Sequence, residues 1–356
     1  MKAAVLTKPS LDPGQAFTIA EMSNPVAAKG EIVIRLHAAS INPLDTLMRQ
    51  GYGESLFKWL RPRGPLVLGL DGAGVVESVG QGVARFKPGD RVMAASMPFR
   101  SGFYAEAVAV PSEWASPIPA SISLDTAAAL PYAGLTARQV LRAARLDART
   151  AKGQRVLVHG GSGGIGSMLV QILHSWGAWV ASTCSTGNVD FVRGLGADQV
   201  VDYRKEDFAQ VLSGLDVVVN TITPKEPKLV EGPHLSVLRR GGHFVSLISP
   251  TLELAGRLGA PLGLLASAGW TGGARAYWGV AAGKHHHWVY FRPSGEMLSE
   301  MAHWVANGVF QPVLGGRFQL EDVASAHRSV ELGPAHGKAL LLPPGAAARS
   351  ERRKPA

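Results

Sequence analysis

The 356-residue sequence predicts an α/β protein in which a doubly wound parallel sheet is joined to a second, β-rich domain. Three observations favour this fold class. From residue 2 to about residue 125, short apolar runs are separated by turns that contain Gly or Pro, which is typical of strands. From about residue 126, apolar strands alternate with amphipathic helical stretches, which indicates a parallel sheet. A glycine-rich turn lies between the first of these strands and its helix.

Composition restricts the protein class. With 46% hydrophobic residues, the chain can bury enough surface for two domains, and its apolar runs are too short to span a membrane. Met1 leads directly into the predicted first strand, and the single cysteine, Cys184, permits neither a disulfide framework nor a cluster of zinc-binding thiolates. We therefore expect a soluble, cytoplasmic protein in which Cys184 packs as a small apolar residue.

The chain carries a net charge of +9, and part of this excess lies in residues 344–356, which we predict to be a disordered basic tail. The alternative interpretation is a nucleic-acid-binding arm, but the tail lacks interleaved aromatic residues and nucleic acid is not an expected partner.

In the first part, residues 31–41 ("EIVIRLHAASI") alternate in hydropathy as a half-buried strand does, and strands are also predicted within residues 65–80 and 87–96. In the second part, the predicted strands are residues 155–159, 178–183, 199–203, 215–221 and 242–247. A later helix should begin after Ser294 and end at Asn307-Gly308, and the last strand is "GKALLL". The Leu252–Ala268 segment is expected to be helical and buried, and an interface is one place where it could be covered.

The turn "GGSGGIG" contains Gly161-x-Gly163-x-x-Gly166 directly after a strand and directly before a helix. In this context, the first glycine permits a tight turn, the second lets the backbone approach a pyrophosphate, and the third lets the helix pack on the sheet. The N-terminus of the helix adds unpaired N–H groups. The sequence therefore predicts a Rossmann dinucleotide site, although a similar fold with an empty site is an alternative.

The cofactor is predicted to be NADPH rather than NADH. An NAD site usually has an acidic residue about 20 residues after the turn, but residues 179–188 contain none and offer hydroxyl groups instead. Such hydroxyls donate hydrogen bonds to a ribose phosphate, which a carboxylate would repel. The hydroxyl and basic candidates for this contact are Ser182, Thr183, Ser185, Thr186, Arg193, Tyr203, Arg204 and Lys205.

Together with this turn, the stretches "AASINPLDTLMRQGYG", "LGLDGAGVV", "FKPGDRV" and "ALPYAGLTA" resemble the medium-chain dehydrogenase/reductase superfamily and its zinc-independent quinone oxidoreductase branch. The resemblance extends to "HGKALLL". It implies a GroES-like catalytic domain of residues 1–125 and 291–343, and an NADP-binding domain of residues 126–290 with the cofactor in the cleft between them. It also implies a homodimer paired through sheet edges of the nucleotide domain. The candidate cofactor-binding residues are Thr136, Gly161, Ser162, Gly163, Gly164, Ile165, Gly166, Ser185, Asn188, Tyr203, Asn220, Leu247 and Phe291.

Zinc catalysis is not expected. Where the zinc-binding branch has Cys, His and Cys, the motifs place Asn42, Leu70 and approximately Tyr132, with Asp71 in place of a Glu. A leucine cannot bind zinc, and an amide or a phenol is a poor substitute for a thiolate. The run His285–His287 would direct its side chains to alternating faces of a strand, so we expect it to line the cleft edge or solvent and to bind no metal.

Without a metal, the protein must position the acceptor and stabilise negative charge on it. The candidate catalytic residues are Asn42, Asp45, Tyr52 and Tyr132, with Tyr52 or water as the proton donor. Each has a structural alternative: Asn42-Pro43 is compatible with a turn, Asp45 with a helix cap, and Tyr132 with packing at the domain junction.

The sequence thus favours an NADPH-dependent reductase of quinones or α,β-unsaturated carbonyl compounds. Two other interpretations remain open. In one, the acceptor is an acyl thioester or a biosynthetic intermediate; in the other, the protein binds NADPH but acts through a protein or RNA partner. The basic tail and the segment Trp59–Pro65 are weak indications of the last of these.

Overall fold

The computed structural model describes residues 1–54, 64–98, 100, 102–222, 232–332 and 336–345. The chain divides into two compact units. The first contains Met1–Leu135, Arg292–Gly308 and the residues from Pro312 onward, and the second contains Thr136–Phe291 and Val309–Gln311. Most of the segment Trp59–Pro65, and the predicted basic tail beyond Gly345, lie outside the described residues.

The first unit is rich in strands, as predicted. Its strands are β1 (Lys2–Leu6), β2 (Phe17–Glu21), β3 (Glu31–Ile41), β4 (Leu66–Val67), β5 (Asp71–Val79), β6 (Arg91–Ala95), β7 (Ala107–Pro111), β8 (Ala115–Pro117), β15 (Leu314–Gln319) and β16 (Lys338–Leu342). Its helices are α1 (Pro43–Arg49), α2 (Leu124–Ala129), the start of α3 (Pro131–Ala143), α10 (Gly295–Ala306) and α11 (Val323–Leu332).

These strands form two sheets. The larger has the order β15-β16-β3-β5-β6-β8, with β7 paired to β3, and the smaller has the order β2-β1-β4. All the pairs are antiparallel except β15 with β16. Because β16 pairs with β3 through Ala339 and Ile41, the last strand that the structure describes lies beside the residues that precede α1.

The second unit is a doubly wound α/β unit. Its strands are β9 (Arg155–His159), β10 (Trp179–Cys184), β11 (Gln199–Asp202), β12 (Leu215–Asn220), β13 (Leu238–Ser246) and β14 (His285–Trp288). Its helices are the rest of α3, then α4 (Gly164–Ser175), α5 (Val189–Gly194), α6 (Phe208–Val211), α7 (Gly232–Val237), α8 (Thr251–Leu258) and α9 (Ala260–Ala276).

All six strands are parallel and have the order β11-β10-β9-β12-β13-β14. The order reverses between β9 and β12, and ligands of such sheets bind at the carboxyl ends of the strands at that point. Leu157, Val218 and Phe244 are buried on these strands, and the fully buried Trp278 packs against Phe244. The predicted combination of a Rossmann sheet and a separate β-rich domain is confirmed.

Two helical predictions had different outcomes. The helix after Ser294 is confirmed as α10, since the Ser294 hydroxyl accepts a hydrogen bond from the Met297 N–H at 3.3 Å. The segment Leu252–Ala268 is helical, in α8 and α9, but the expectation that it is buried is wrong, because Leu262 and Leu265 are 63% and 71% exposed. Among the helices that the structure describes, none is both long and apolar enough to cross a membrane.

Candidate functional site

The glycine-rich turn joins β9 to α4 at the point where the strand order reverses. Gly160 has a φ of +74°, a left-handed conformation that side chains rarely adopt, so the sharp bend is made one residue before the predicted motif. The N–H groups of Gly160 and Gly161 both donate to the Thr183 carbonyl, at 3.1 and 3.2 Å. These bonds attach the turn to the end of β10.

The three motif glycines have different surroundings. A Cβ atom on Gly161 would lie 2.1 Å from the Ser182 hydroxyl, and one on Gly166 would lie 2.1 Å from the Gly160 carbonyl oxygen. These two positions therefore require glycine for packing within the protein. A Cβ on Gly163 would meet only the Gly160 carbonyl, at 3.4 Å, so the space beside Gly163 is left open. Gly163 is also the residue that precedes α4, whose first N–H groups have no partner within the helix.

Three of the predicted cofactor-binding residues lie together next to this turn. The Asn188 side-chain amide donates to the Ser162 hydroxyl at 3.2 Å and to the Ser185 hydroxyl at 3.0 Å. The loop after β10 is thereby bonded to the glycine turn. Gly164 and Ile165 form the first turn of α4, so their backbone N–H groups belong to the same edge of the sheet.

Tyr203, which is 56% exposed, follows β11, and its N–H donates to the Cys184 carbonyl at 3.1 Å. The turn of residues 203–205 thus lies beside the end of β10. Asp202, an acid that the sequence analysis did not consider, is buried here, and its carboxylate accepts the Arg204 N–H at 3.1 Å. Hydrogen bonds from the Thr186 hydroxyl and the Arg204 N–H hold the pKa of Asp202 below its ordinary value.

Asn220 ends β12 and stands in register with His159 of β9 and Ser246 of β13. Its carbonyl accepts the Leu247 N–H at 3.2 Å, which places both predicted residues at the carboxyl edge of the sheet. His159 is buried at the same edge, and burial lowers its pKa to about 3, so its imidazole is neutral.

Thr136 and Phe291 are not placed at that edge by any strand. Thr136 is a buried residue of α3, and Phe291, which is partly buried, is the last residue of the main segment of the second unit. Their predicted contacts with a cofactor remain predictions.

The first unit contains a buried polar network centred on Asp71, the first residue of β5. The antiparallel pairing of β3 with β5 places Ser40 opposite Asp71, and the Ser40 hydroxyl donates to its carboxylate at 2.5 Å. The Asn42 amide donates to the same carboxylate at 2.8 Å, and the Tyr132 N–H, in the first turn of α3, donates at 2.8 Å. Asp71 therefore connects β3, α1 and α3.

Asn42 and Asp45 lie in this network and do not reach solvent. The Asp45 carboxylate accepts the Asn42 N–H at 2.9 Å and the Asn42 amide at 3.1 Å. Asp45 thus lies in the first turn of α1 and bonds back to Asn42, the residue before the helix, whereas the alternative interpretation made Asp45 the cap of a helix beginning at Thr46. The Asn42 amide thus donates both of its hydrogen bonds within the protein, to Asp45 and Asp71. These bonds give Asn42 and Asp45 partners within the protein, and their direct contact with a substrate oxygen remains a prediction.

A lysine from the other end of the chain completes the network. The Lys338 ammonium donates to the Asn42 side-chain carbonyl, and to the Ile41 carbonyl at 3.2 Å. Burial, and the charge of Asp71, raise the pKa of Asp45 to about 7, against the hydrogen bonds from Asn42 and the charge of Lys338. No local pattern in the sequence distinguishes Lys338, because a lysine that begins a strand resembles an ordinary surface residue.

The two predicted tyrosines differ in their surroundings. Tyr132 is partly exposed, and burial together with the charges of Asp45 and Asp71 raises the pKa of its phenol, so it stays protonated and can donate a hydrogen bond. Tyr52 is also partly exposed and lies in the turn after α1, where its N–H donates to the Leu47 carbonyl at 2.9 Å.

The histidine run occupies β14, at the edge of the parallel sheet. His285 and His287 lie on one side, where His243 of β13 stacks with both at 4.8 and 5.2 Å. His286 is buried on the other side against Trp288, so the expectation that the run faces the cleft edge or solvent is wrong for His286. In the part of the chain that the structure describes, no group of three His, Cys, Asp or Glu side chains is arranged to hold a metal ion.

Two family models match the chain. The model described as "Alcohol dehydrogenase GroES-like domain" matches residues 28–120, within the first unit. The model described as "Zinc-binding dehydrogenase" matches residues 195–341, which include most of the second unit.

Among curated proteins, the chain is 35% identical over 356 residues to the mitochondrial NAD(P)H oxidoreductase RTN4IP1 of Mus musculus, a match that covers 96% of this chain and 89% of that protein. It is 31% identical over 329 residues to the 2-methylene-furan-3-one reductase of Solanum lycopersicum, covering 90% of this chain and 73% of that protein. The most similar of these relatives are mitochondrial proteins, which contradicts the prediction of a cytoplasmic location.

Solved structures agree with the fold. The quinone oxidoreductase of Coxiella burnetii superposes with a TM-score of 0.79 and 27% identity, covering 96% of this chain and 99% of that one. A mycobacterial protein, Rv1454c, solved in complex with NADPH, has a TM-score of 0.75 and 25% identity, covering 96% of this chain and all of that one.

Proposed function

Because this chain belongs to the medium-chain dehydrogenase/reductase superfamily and to its NAD(P)H oxidoreductases, we propose that it is a zinc-independent enzyme that reduces quinones or α,β-unsaturated carbonyl compounds with NADPH. The observation that carries this proposal is the glycine turn at the reversal of strand order, where the space beside Gly163 is open in front of α4. A phosphate group fits such a place because helix N–H groups and the helix dipole favour negative charge.

The residues present fit a dinucleotide. The backbone of residues 163–166 would hold the pyrophosphate, and the bonded group of Ser162, Ser185 and Asn188 would face the adenosine side. When bound, NADPH supplies the hydride. We propose that the residues near Thr136, Asn220, Leu247 and Phe291 complete the site, and that the units described above correspond to a catalytic and a nucleotide-binding domain.

Three observations support NADPH over NADH. Asp202, the acid at the end of β11, is only 5% exposed and its carboxylate accepts the Arg204 N–H, so it presents little surface to the hydroxyls of an adenosine ribose. The exposed side chains of Tyr203 and Lys205 lie in the same turn and would favour a ribose phosphate. The structurally similar mycobacterial protein was also solved with NADPH.

The acceptor class is supported by the relatives and by the buried network. The relatives include a quinone oxidoreductase and a reductase of a 2-methylene-furan-3-one, and both kinds of compound gain negative charge on a carbonyl oxygen when a hydride is added. Tyr132 is partly exposed above the Asp71 network and stays protonated, so we propose that its phenol donates a hydrogen bond to that oxygen. Tyr52 is the alternative donor.

The absence of a zinc step is supported by the residues in place of the zinc ligands. Leu70 offers no ligand atom, and the Asn42 amide is already bonded to two carboxylates. A metal ion would have to break these bonds and would gain no thiolate in return.

The test is NADPH consumption by the purified protein under low oxygen, with quinones, enones and enoyl thioesters as acceptors and NADH in parallel. We expect turnover with quinones or enones, little turnover with NADH, and loss of turnover in Gly163→Val, whose side chain would fill the open space. Tyr132→Phe should lower turnover more than Tyr52→Phe does. Tight NADPH binding without turnover across the panel would refute the proposal and favour a protein that acts through a partner.

We also propose that the protein is a homodimer. β14 lies at the edge of the parallel sheet, and α9 packs beside it through Trp270 and Trp288, whose rings are 5.7 Å apart. The exposed Leu262 and Leu265 of α9 give this region an apolar surface that a second copy would cover. Light scattering should give twice the chain mass of 37.5 kDa for the wild type and a smaller mass for Leu265→Glu. A wild-type protein that is monomeric at micromolar concentration would refute the dimer.

A further inference from the structure

Lys338 is a buried cation with no role in the function proposed above. It is the first residue of β16 and is 3% exposed, and the pairing of β16 with β3 places its ammonium against Asn42. Its hydrogen bonds go to two carbonyl oxygens, of Ile41 and Asn42, and to neither of the two buried carboxylates directly. Burying an ammonium group is costly unless nearby charges and hydrogen bonds compensate for the lost water.

The compensating charges are those of Asp71 and, above its raised pKa of about 7, of Asp45; both carboxyl groups are completely buried. Both oppose the effect of burial, which lowers the pKa of Lys338. Since Asn42 accepts from Lys338 and donates to both carboxylates, one amide connects the cation with the two acids. No local sequence pattern connects Lys338 with these acids, because Lys338 and Asn42 are 296 positions apart.

The same two carboxylates act on Tyr132. Burial raises the pKa of its phenol and the two carboxylate charges raise it further, while Asp71 also accepts the Tyr132 backbone N–H at 2.8 Å. A phenol whose proton is harder to remove is a weaker hydrogen-bond donor to a developing oxyanion, so uncompensated carboxylates behind Tyr132 would work against charge stabilisation. A positive charge in the network reduces their combined field at the phenol.

We propose that Lys338 is a positioning residue whose ammonium is the fixed counter-charge to Asp45 and Asp71, and that it maintains the Tyr132 phenol as a strong hydrogen-bond donor to the acceptor oxygen. This inference rests on the proposed function, in which Tyr132 contacts the acceptor. It assigns the charge behind the acceptor site to a lysine from the last strand of the chain.

The test compares Lys338→Met and Lys338→Arg across a series of quinones and enones of decreasing electron affinity. Acceptors that develop more charge on oxygen depend more on the donor, so Lys338→Met should lower kcat at least ~10-fold for the poorest acceptor and much less for the best one. Lys338→Arg, which keeps the charge, should recover part of this loss. NADPH affinity should stay within about twofold in both variants, because the change lies in the other unit.

Controls separate this effect from damage to the fold. Lys284→Met removes a partly buried lysine of the second unit, whose ammonium donates to the Leu235 carbonyl, and should leave the dependence on acceptor unchanged. If Lys338→Met does not fold, the double variant Lys338→Met/Asp45→Asn, which lacks one charge of each sign, takes its place. The dependence of its kcat on the acceptor is then compared with that of Asp45→Asn alone. In a Tyr132→Phe background, the loss that depends on the acceptor should disappear.

Equal losses for every acceptor, or the full acceptor-dependent loss in the Tyr132→Phe background, would overturn the role of Lys338 while leaving the proposed function intact. A wild-type protein that turns over no quinone or enone would overturn the proposed function and the role of Lys338 with it. An unchanged rate in Tyr132→Phe would show that another group donates, and would also refute the role assigned to Lys338.

Discussion

Replacing Asp45 by asparagine should change how the stability of the protein depends on pH. In the folded protein, burial raises the pKa of Asp45 to about 7 from its ordinary value of 3.8. The folded state therefore holds a proton that the unfolded state releases, so the stability from this group is complete below pH 3.8 and is lost as the pH rises through 7. The rise from 3.8 to about 7 corresponds to about 4 kcal/mol of unfolding free energy.

An asparagine can accept the same two hydrogen bonds from Asn42, and it has no proton to release. The difference in unfolding free energy between Asp45→Asn and the wild type should therefore move in favour of the variant by about 4 kcal/mol between pH 4 and pH 8. Urea denaturation at pH 4, 5, 6, 7 and 8 measures this difference. Asp147→Asn is the matched control, because hydrogen bonds from the Thr150 and Arg149 N–H groups lower the pKa of Asp147, and its difference should be flat above pH 5. A flat difference for Asp45→Asn as well would refute the burial argument.

Three further predictions concern the second unit. Gly166→Ala should lower the Tm by several degrees, because its Cβ would lie 2.1 Å from a backbone carbonyl. Gly163→Ala should keep the Tm and weaken NADPH binding, measured by fluorescence. A lower Tm for Gly163→Ala than for Gly166→Ala would contradict the roles given to the two glycines. The double change Arg204→Ala and Lys205→Ala should reduce affinity for NADPH roughly tenfold or more, with NADH affinity unchanged, if these residues contact the ribose phosphate. Burial raises the pKa of Cys184 to about 11, so its alkylation by iodoacetamide at pH 8 should be slow in the native protein and fast in urea; equal rates would show that the thiol is accessible.

The sequence was most informative where the local pattern decides the structure. Strands such as Leu215–Asn220 are apolar runs bounded by turns, and the glycine spacing at residues 161–166 has a direct backbone cause. Ser162, Ser185 and Asn188 were predicted to share a site, and the structure bonds them to one another. In each case, the residues concerned are close in sequence or lie at equivalent ends of neighbouring strands.

Prediction failed where the structure depends on the pairing of distant strands or on which elements pack over a helix face. Lys338 meets Asn42 only through the register of β16 on β3, which the local sequence does not specify. The Leu-, Ala- and Gly-rich composition of α9 is typical of a buried helix, but burial depends on which elements cover a face, and Leu265 is left exposed. The second hydrogen bond that the Asn42 amide donates similarly depends on Asp71, which lies 29 residues away.

In the proposed reaction, the protein transfers a hydride from NADPH to an electron-poor alkene or quinone. The most direct measurement is single-turnover reduction of an enone by NADPH that carries deuterium on the transferred position of C4, with mass spectrometry of the product. We expect one deuterium in the reduced enone for the wild type and none for Gly163→Val. Reduction without deuterium in the product, or no reduction of any enone or quinone by the NADPH-bound protein, would contradict it.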